Sequence, residues 1–178
     1  VTDSRQRDYI RSLYYLTHAL DASRPVISND GWEQVETTDI LGIHDYARDG
    51  AMLLTKYRDL SHRPGSMVPS NGRPAMAPGA AYPGAPYFLT EFGGIATILA
   101  GQQTADNAWG YAGVEKSQQS AMERLTGLYS ALQQLPQFIG ICYTQLTDVE
   151  QEINGLYTAD RKPKFPPDEV KKLNELLQ

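Results

Sequence analysis

Four β-prone residues, Tyr87, Phe88, Leu89 and Thr90, run straight into the carboxylate of Glu91, and Gly93 and Gly94 follow almost at once. Burial makes a charge expensive, so a carboxylate closing an apolar run calls for a reason. Three other apolar segments close on polar groups: "RPVISND" on Asn29 and Asp30, "DILGIHDY" on His44 to Tyr46, and "QFIGICYTQ" on Tyr143 to Gln145. Carboxylates, imidazoles and phenols are the groups that attack a substrate, transfer its protons or hold its hydroxyls. In open α/β sheets and in α/β barrels alike, such groups work at the carboxyl ends of parallel strands.

The elements needed to position them are legible in order. "TDSRQRDYIRSLYYLTHALD" reads as a helix capped by Asp3 or Ser4, with Tyr9, Leu13, Leu16 and Leu20 on one stripe. A strand follows at "RPVIS" and another at "DILGIHDY", with room for a further helix at "GWEQVE" between them. "DGAMLLTKYRDL" is a short helix with Leu53, Tyr57 and Leu60 on one face. Residues 61–86 carry six prolines and four glycines, a composition that favours extended chain and has no strand or helix period. After the strand "YFLTE" comes a second long loop, 92–116, and then the clearest helix, "SQQSAMERLTGLYSALQQL", with Met122, Leu125, Tyr129 and Leu132 in register. "QFIGICYTQ" is a fourth strand, and "PPDEVKKLNELLQ" is a last helix opened by its prolines. Strands alternating with helices predict an α/β fold on a parallel sheet, doubly wound or barrel.

A formal net charge of −5 over 178 residues argues against nucleic acid, which needs clustered Lys and Arg. The short basic run "DRKPK" at 160–164 reads as a solvated loop. No apolar run approaches the roughly 18 residues of a membrane span, so the expectation is a soluble protein without a membrane partner. Cys142 is the single cysteine and reads as a small buried apolar residue. With no secretory signal at the start, it fits a cytoplasmic setting without requiring one. His18, His44 and His62 show no ligand spacing, so no metal site is expected.

"RPVISNDGWE", "DILGIHDY", "FLTEFGG" and "QFIGICYTQLTDVEQEINGLYTADRKPK" resemble, in this order, the strand-end motifs of glycoside hydrolase family 2, the β-galactosidase, β-glucuronidase and β-mannosidase family. The resemblance runs from the first helix to the last. It implies that residues 1–178 form the C-terminal half of a catalytic (β/α)8 TIM barrel, strands five to eight with their helices. The N-terminal half and the accessory β-domains would lie outside these residues, and Val1, which is not an initiator Met, would be a cut point in a longer protein. The implied activity is that of a retaining β-glycosidase acting on a carbohydrate, without a cofactor. "TEFGG" resembles the motif of the catalytic nucleophile, which falls on Glu91, and Tyr46 resembles the tyrosine that hydrogen-bonds it. The family's acid/base, the Glu of an Asn-Glu pair on strand four, would precede Val1. The isolated chain is then expected to be inactive, and its open sheet edges to favour a homo-oligomer.

Glucuronide-cleaving members carry an Asn-x-Lys signature before a Gly; here Gly155 is preceded by Glu152, Ile153 and Asn154. A Glu in place of the Asn and no Lys would repel a uronic acid, so a neutral sugar is expected. Asp30, His44, Trp109 and Asn154 are the expected sugar contacts, with His44 read equally well as a structural histidine sharing a strand face with Tyr46. Trp32 and Trp109 stand in loops after strands, where a ring can stack on a sugar or plug its own loop. Two other readings stay open: a phosphate-binding turn at "EFGG", which the adjacent Glu opposes, and a truncated barrel kept as a non-catalytic interaction or carbohydrate-binding module.

Overall fold

The computed structural model of the protein describes residues 3–60, 62, 67–69, 71–99, 101 and 105–177. Val1, parts of the Pro-rich loop (61, 63–66 and 70) and parts of the second long loop (100 and 102–104) lie outside the described residues. The elements in chain order are α1 (Ser4–Leu20), β1 (Leu41–Asp45), α2 (Gly50–Tyr57), β2 (Tyr87–Gly93), β3 (Ala96–Thr97), β4 (Val114–Glu115), α3 (Gln118–Leu132), β5 (Phe138–Thr144) and α4 (Pro167–Glu175). One sheet has the order β1-β2-β5, and β3 pairs with β4 in parallel. The Leu41 N–H donates to the Pro86 carbonyl at 2.9 Å, so β1 and β2 start side by side. The Gly94 N–H donates to the Thr144 carbonyl at 3.0 Å, so β2 and β5 end side by side. Both pairs therefore run parallel, joined by helical crossovers as parallel pairing demands. The fold is α/β with small, open sheets.

Cα packing divides the chain into two compact units. The first comprises Val1–Asp45, Lys56–Glu91 and Gln137–Cys142, and the second Tyr46–Thr55, Phe92–Pro136 and Tyr143–Gln178. The core of the first is built from Val35, Leu41, Ile43, Tyr57, Tyr87 and Leu89. On the buried face of β1, Asp45 is sealed from solvent, with Lys56 Nζ at 3.0 Å and the Tyr57 hydroxyl donating to it at 2.5 Å. Burial first, and then the charge of Asp45, push the Tyr57 phenol well above its ordinary range.

The helix expected at the start is present, capped by Asp3 through the Arg5 N–H at 2.7 Å. Its stripe, however, does not enter the core: Tyr9, Leu13, Leu16 and Leu20 are all exposed, and no residue of α1 is buried. The helix is held instead by polar ties, Arg11 to Glu36 at 2.8 Å and Tyr14 and His18 to Asp39 at 2.7 and 2.8 Å. The segment read as a strand at "RPVIS" is not one. Pro25 lacks an N–H, and the Val26 and Ser28 N–H groups go to the side chains of Asp39 and Thr38 rather than to a neighbouring strand. "GWEQVE" is not a helix either. Glu33 takes a left-handed φ of 50°, and Gln34 bridges to Met76 of the Pro-rich loop. Cys142 is exposed rather than buried, because β5 lies at the end of the sheet order and leaves Cys142 and Ile139 uncovered.

The second unit packs α3 against α4 and against the β3–β4 pair. Ser117 and Ser120 close a reciprocal capping box at the start of α3. Leu125, Leu128, Tyr129 and Leu132 bury its inner face. The basic run at 160–164 is not wholly solvated, since Lys164 is buried. Its ammonium donates to Asp148 Oδ1 at 2.6 Å and to the Ile153 and Thr97 carbonyls at 2.8 and 3.0 Å. Burial lowers the Lys164 pKa, and Asp148 opposes that shift. Asp148 also accepts the Gly155 N–H at 2.9 Å, so one buried pair ties three loop segments together. Lys164→Met leaves Asp148 buried without its cation, and a loss of about 3 kcal/mol or more is expected. Urea unfolding checks it: the midpoint should fall with the slope unchanged.

Candidate active site

The first unit assembles its polar groups around His44. Asp30 approaches β1 from the preceding loop, and it can do so because residue 42 is glycine. A Cβ on Gly42 would land on the Asp30 carboxylate, whereas bare backbone leaves it room. Asp30 Oδ1 then accepts the Gly31 N–H at 2.8 Å and the Thr90 hydroxyl at 2.7 Å. Its Oδ2 faces His44 Nε2 at 3.1 Å. The other ring nitrogen, Nδ1, faces Glu91 Oε2, also at 3.1 Å. Asp30, His44 and Glu91, chosen separately from the sequence, thus stand in one row, Asp30 hydrogen-bonded to the ring and Glu91 within ion-pair distance of it.

Both imidazole nitrogens can donate only when the ring is protonated. Burial works against the cation, but the hydrogen bond to Asp30 and the charges of Glu91 and Asp30 outweigh it and raise the His44 pKa above its ordinary 6.5. The Asp30 pKa is lowered: burial would raise it, and the bonds from His44, Thr90 and Gly31 prevail. The His44 side chain is 14% exposed while that of Glu91 keeps 38%, so the imidazole is the better-covered partner and the carboxylate remains accessible. Trp32 packs edge-on against the imidazole, centroids 5.3 Å apart at 87°. The Arg73 guanidinium lies 5.0 Å from the Trp32 ring centroid and pairs with Glu33 at 2.6 Å. Arg73 belongs to the Pro-rich loop, whose 74–77 backbone bonds to residues 33 and 34. That loop has no helix or strand period in the sequence, yet its Arg73 stands behind a residue that packs on His44.

The second unit holds an aromatic row. Tyr46 stacks on Tyr111 at 3.4 Å and 4°, and Trp109 meets Tyr111 edge-on at 5.3 Å. Trp109 is 43% exposed, which leaves ring surface for a ligand. Gly93 and Gly94 lie against rings, the first beneath Tyr143 and the second beneath Tyr46 and Tyr111, so aromatic packing occupies the space their side chains would need. Tyr143 is structural: its hydroxyl accepts the Ile95 N–H at 3.2 Å and donates to the Asn154 carbonyl at 3.1 Å, and burial raises its pKa. Asn154, expected at a sugar, is wholly buried, its amide donating to Glu152 at 2.9 Å. It has no surface to offer a ligand in this arrangement. Tyr46 belongs to this unit and Glu91 to the first.

Sequence reading missed Arg73, Tyr111 and Gly42. A ring two residues from Trp109 and a glycine inside an apolar strand were the available signals. An Asn–acid pair occurs at Asn29–Asp30 and again at Asn174–Glu175. The second lies on α4, where the Tyr129 hydroxyl donates to Asn174 at 3.0 Å. Among the described residues, no cluster of His, Cys, Asp and Glu could hold a metal ion, and no helix is long and apolar enough to cross a membrane.

Comparison with protein-family models and with curated protein sequences finds no match. Solved structures do match in fold. A GH2 β-galacturonidase from Eisenbergiella tayi superposes with a TM-score of 0.65 at 17% identity, covering 99% of this chain and 31% of that one. A Bifidobacterium dentium β-glucuronidase gives 0.60 at 24% identity over 96% of this chain and 26% of its own. A Faecalibacterium prausnitzii β-glucuronidase gives 0.60 at 22%, over 94% and 28%. The chain therefore spans about a third or less of the length of the structures it resembles.

The row around His44 is testable without knowing a substrate. Gly42→Ala should still fold, since the added methyl meets the tip of Asp30 and not backbone. It should push Asp30 off its seat and let the His44 pKa fall toward the ordinary value. Titration of the His44 ring by NMR measures this.

Proposed function

We propose that these residues belong to the catalytic barrel of a retaining β-glycosidase of glycoside hydrolase family 2, with Glu91 as its nucleophile and Tyr46 as an orienting partner. The observation that carries this reading is the accessible Glu91 carboxylate on β2, with the His44 imidazole 3.1 Å from it. It is supported by the motif order in the sequence and by the fold shared with family 2 structures. In a retaining mechanism, an ionised carboxylate attacks the anomeric carbon as the bond to the leaving oxygen breaks. A second carboxyl, roughly 5 to 5.5 Å away, protonates that oxygen. Water, deprotonated by the same second group, then displaces the enzyme carboxylate and completes hydrolysis. The reading places that acid/base on an Asn-Glu pair before Val1, so these residues alone would supply one carboxylate of the two.

A neutral sugar is the proposed substrate, although the solved structures cited above are uronidases. Glu152, Ile153 and Asn154 supply no cation before Gly155. Lys164, close by in sequence, is committed to Asp148 and two backbone carbonyls in the core. A second reading, a carbohydrate-binding module without catalysis, draws on the exposed Trp109 at the end of the Tyr46–Tyr111–Trp109 row, since an exposed ring can bind a sugar face whether or not a bond is cut. The phosphate reading finds no support, because Asp30 and Glu91 set two negative charges around His44.

Labelling separates these readings. In the full-length protein, an activated 2-fluoro glycoside should leave a covalent adduct on Glu91, and Glu91→Gln should remove turnover; sugar binding without an adduct would favour the module. A panel of chromogenic galactoside, glucoside, mannoside and glucuronide substrates tests the sugar class. Faster cleavage of the glucuronide than of every neutral sugar would overturn the neutral preference.

A further inference from the structure

Resting on the reading of Glu91 as nucleophile, we infer that His44 is a positioning residue for that carboxylate. Asp30 holds it as an imidazolium, and Asp30, His44 and Glu91 act as one charge-assisted row. Three separate segments supply the row: the loop before β1, β1 itself and β2. Each end is built for its task. Asp30 is immobilised by the Gly31 N–H and the Thr90 hydroxyl, and the empty side-chain position at Gly42 admits it. Trp32 packs edge-on against the imidazole and restrains its rotation. Glu91 keeps 38% of its side chain exposed with Oε2 3.1 Å from Nδ1, so one oxygen is oriented by the ring while the group stays open to a sugar.

The chemistry of the row fixes its pH behaviour. The groups facing the ring are Asp30 from the preceding loop and Glu91 from β2, with Thr90 bonded to Asp30. Behind Trp32 stands Arg73, paired with Glu33. An imidazolium presents an N–H to each carboxylate. The neutral ring has one N–H, so at one end a lone pair then faces a carboxylate oxygen, and the row must loosen at Asp30 or at Glu91. The raised pKa of His44 means that the row is intact below 6.5 and is lost as pH rises through the folded-state value. The placement of Glu91, and with it the rate of attack, should follow the same course.

A substrate whose leaving group needs no proton, such as a dinitrophenyl glycoside, isolates the attack step from the acid/base. With the full-length protein, kcat/KM for this substrate should fall on the alkaline side as His44 loses its proton. In His44→Gln the plateau should drop by about tenfold or more, the worth of a hydrogen bond to a charged group. The alkaline fall assigned to His44 should also disappear, because the amide does not titrate. Asp30→Asn keeps the ring and should move the fall to lower pH, which guards against a glutamine variant that fails to fold. A His44→Gln profile that overlays the wild type, with the fluoro-sugar adduct still on Glu91, would overturn this inference and leave the nucleophile in place. An adduct on another carboxylate would overturn both.

Discussion

The hydrogen bond from the Leu41 N–H to the Pro86 carbonyl starts two strands on one line and sends them the same way. Because each residue advances a strand by about 3.3 Å, chains that begin together stay level. His44, three residues beyond Leu41, and Glu91, four beyond Tyr87, therefore arrive close enough for a 3.1 Å contact. The Gly94 N–H on the Thr144 carbonyl repeats the same constraint between β2 and β5. An antiparallel pairing would have sent these ends apart. The meeting of side chains distant in sequence follows from strand direction before any side chain is considered.

Three carboxylates show how burial sorts charge in this protein. Asp45, on the covered face of β1, is met by Lys56 and by the Tyr57 hydroxyl and is closed to solvent. Asp148 is closed in the same manner by Lys164, with the Gly155 N–H as a further donor. The first pair joins β1 to α2 and the second joins loops, and a buried carboxylate so satisfied has little left to react with. Glu91 is different: the His44 imidazole lies 3.1 Å from it, and more than a third of its side chain stays open. His44 helps to offset the cost of placing a charge on an apolar strand, and the carboxylate remains reachable. That contrast sets Glu91 apart from Asp45 and Asp148.

What the sequence by itself determined is the list of elements and the residues with chemical capacity. Period-3.6 patterning located α1, α2, α3 and α4, apolar runs located β1, β2 and β5, and strand-end placement singled out Asp30, His44 and Glu91. These signals are local, since a few neighbouring residues suffice to express a period or a cap. What lay beyond them depends on distant partners. The stripe on α1 has full helical spacing yet stays uncovered, because periodicity describes a face and not what covers it. "RPVIS" carries strand-forming residues, but a strand exists only when another accepts its hydrogen bonds, and Asp39 and Thr38 took them first. Lys164 looks like one charge in a basic loop until Asp148 and two carbonyls from other segments close around it. Asn154 reads as a polar group ready for a ligand and is sealed in the core, while Arg73, in a loop without any period, stands over Trp32. Gly42 reads as a weak point in a strand, and only the approach of Asp30 from twelve positions earlier gives its missing side chain a purpose. Tertiary structure decided these cases because desolvation and hydrogen bonding are satisfied by whatever the fold brings near, at sequence separations that no local pattern encodes.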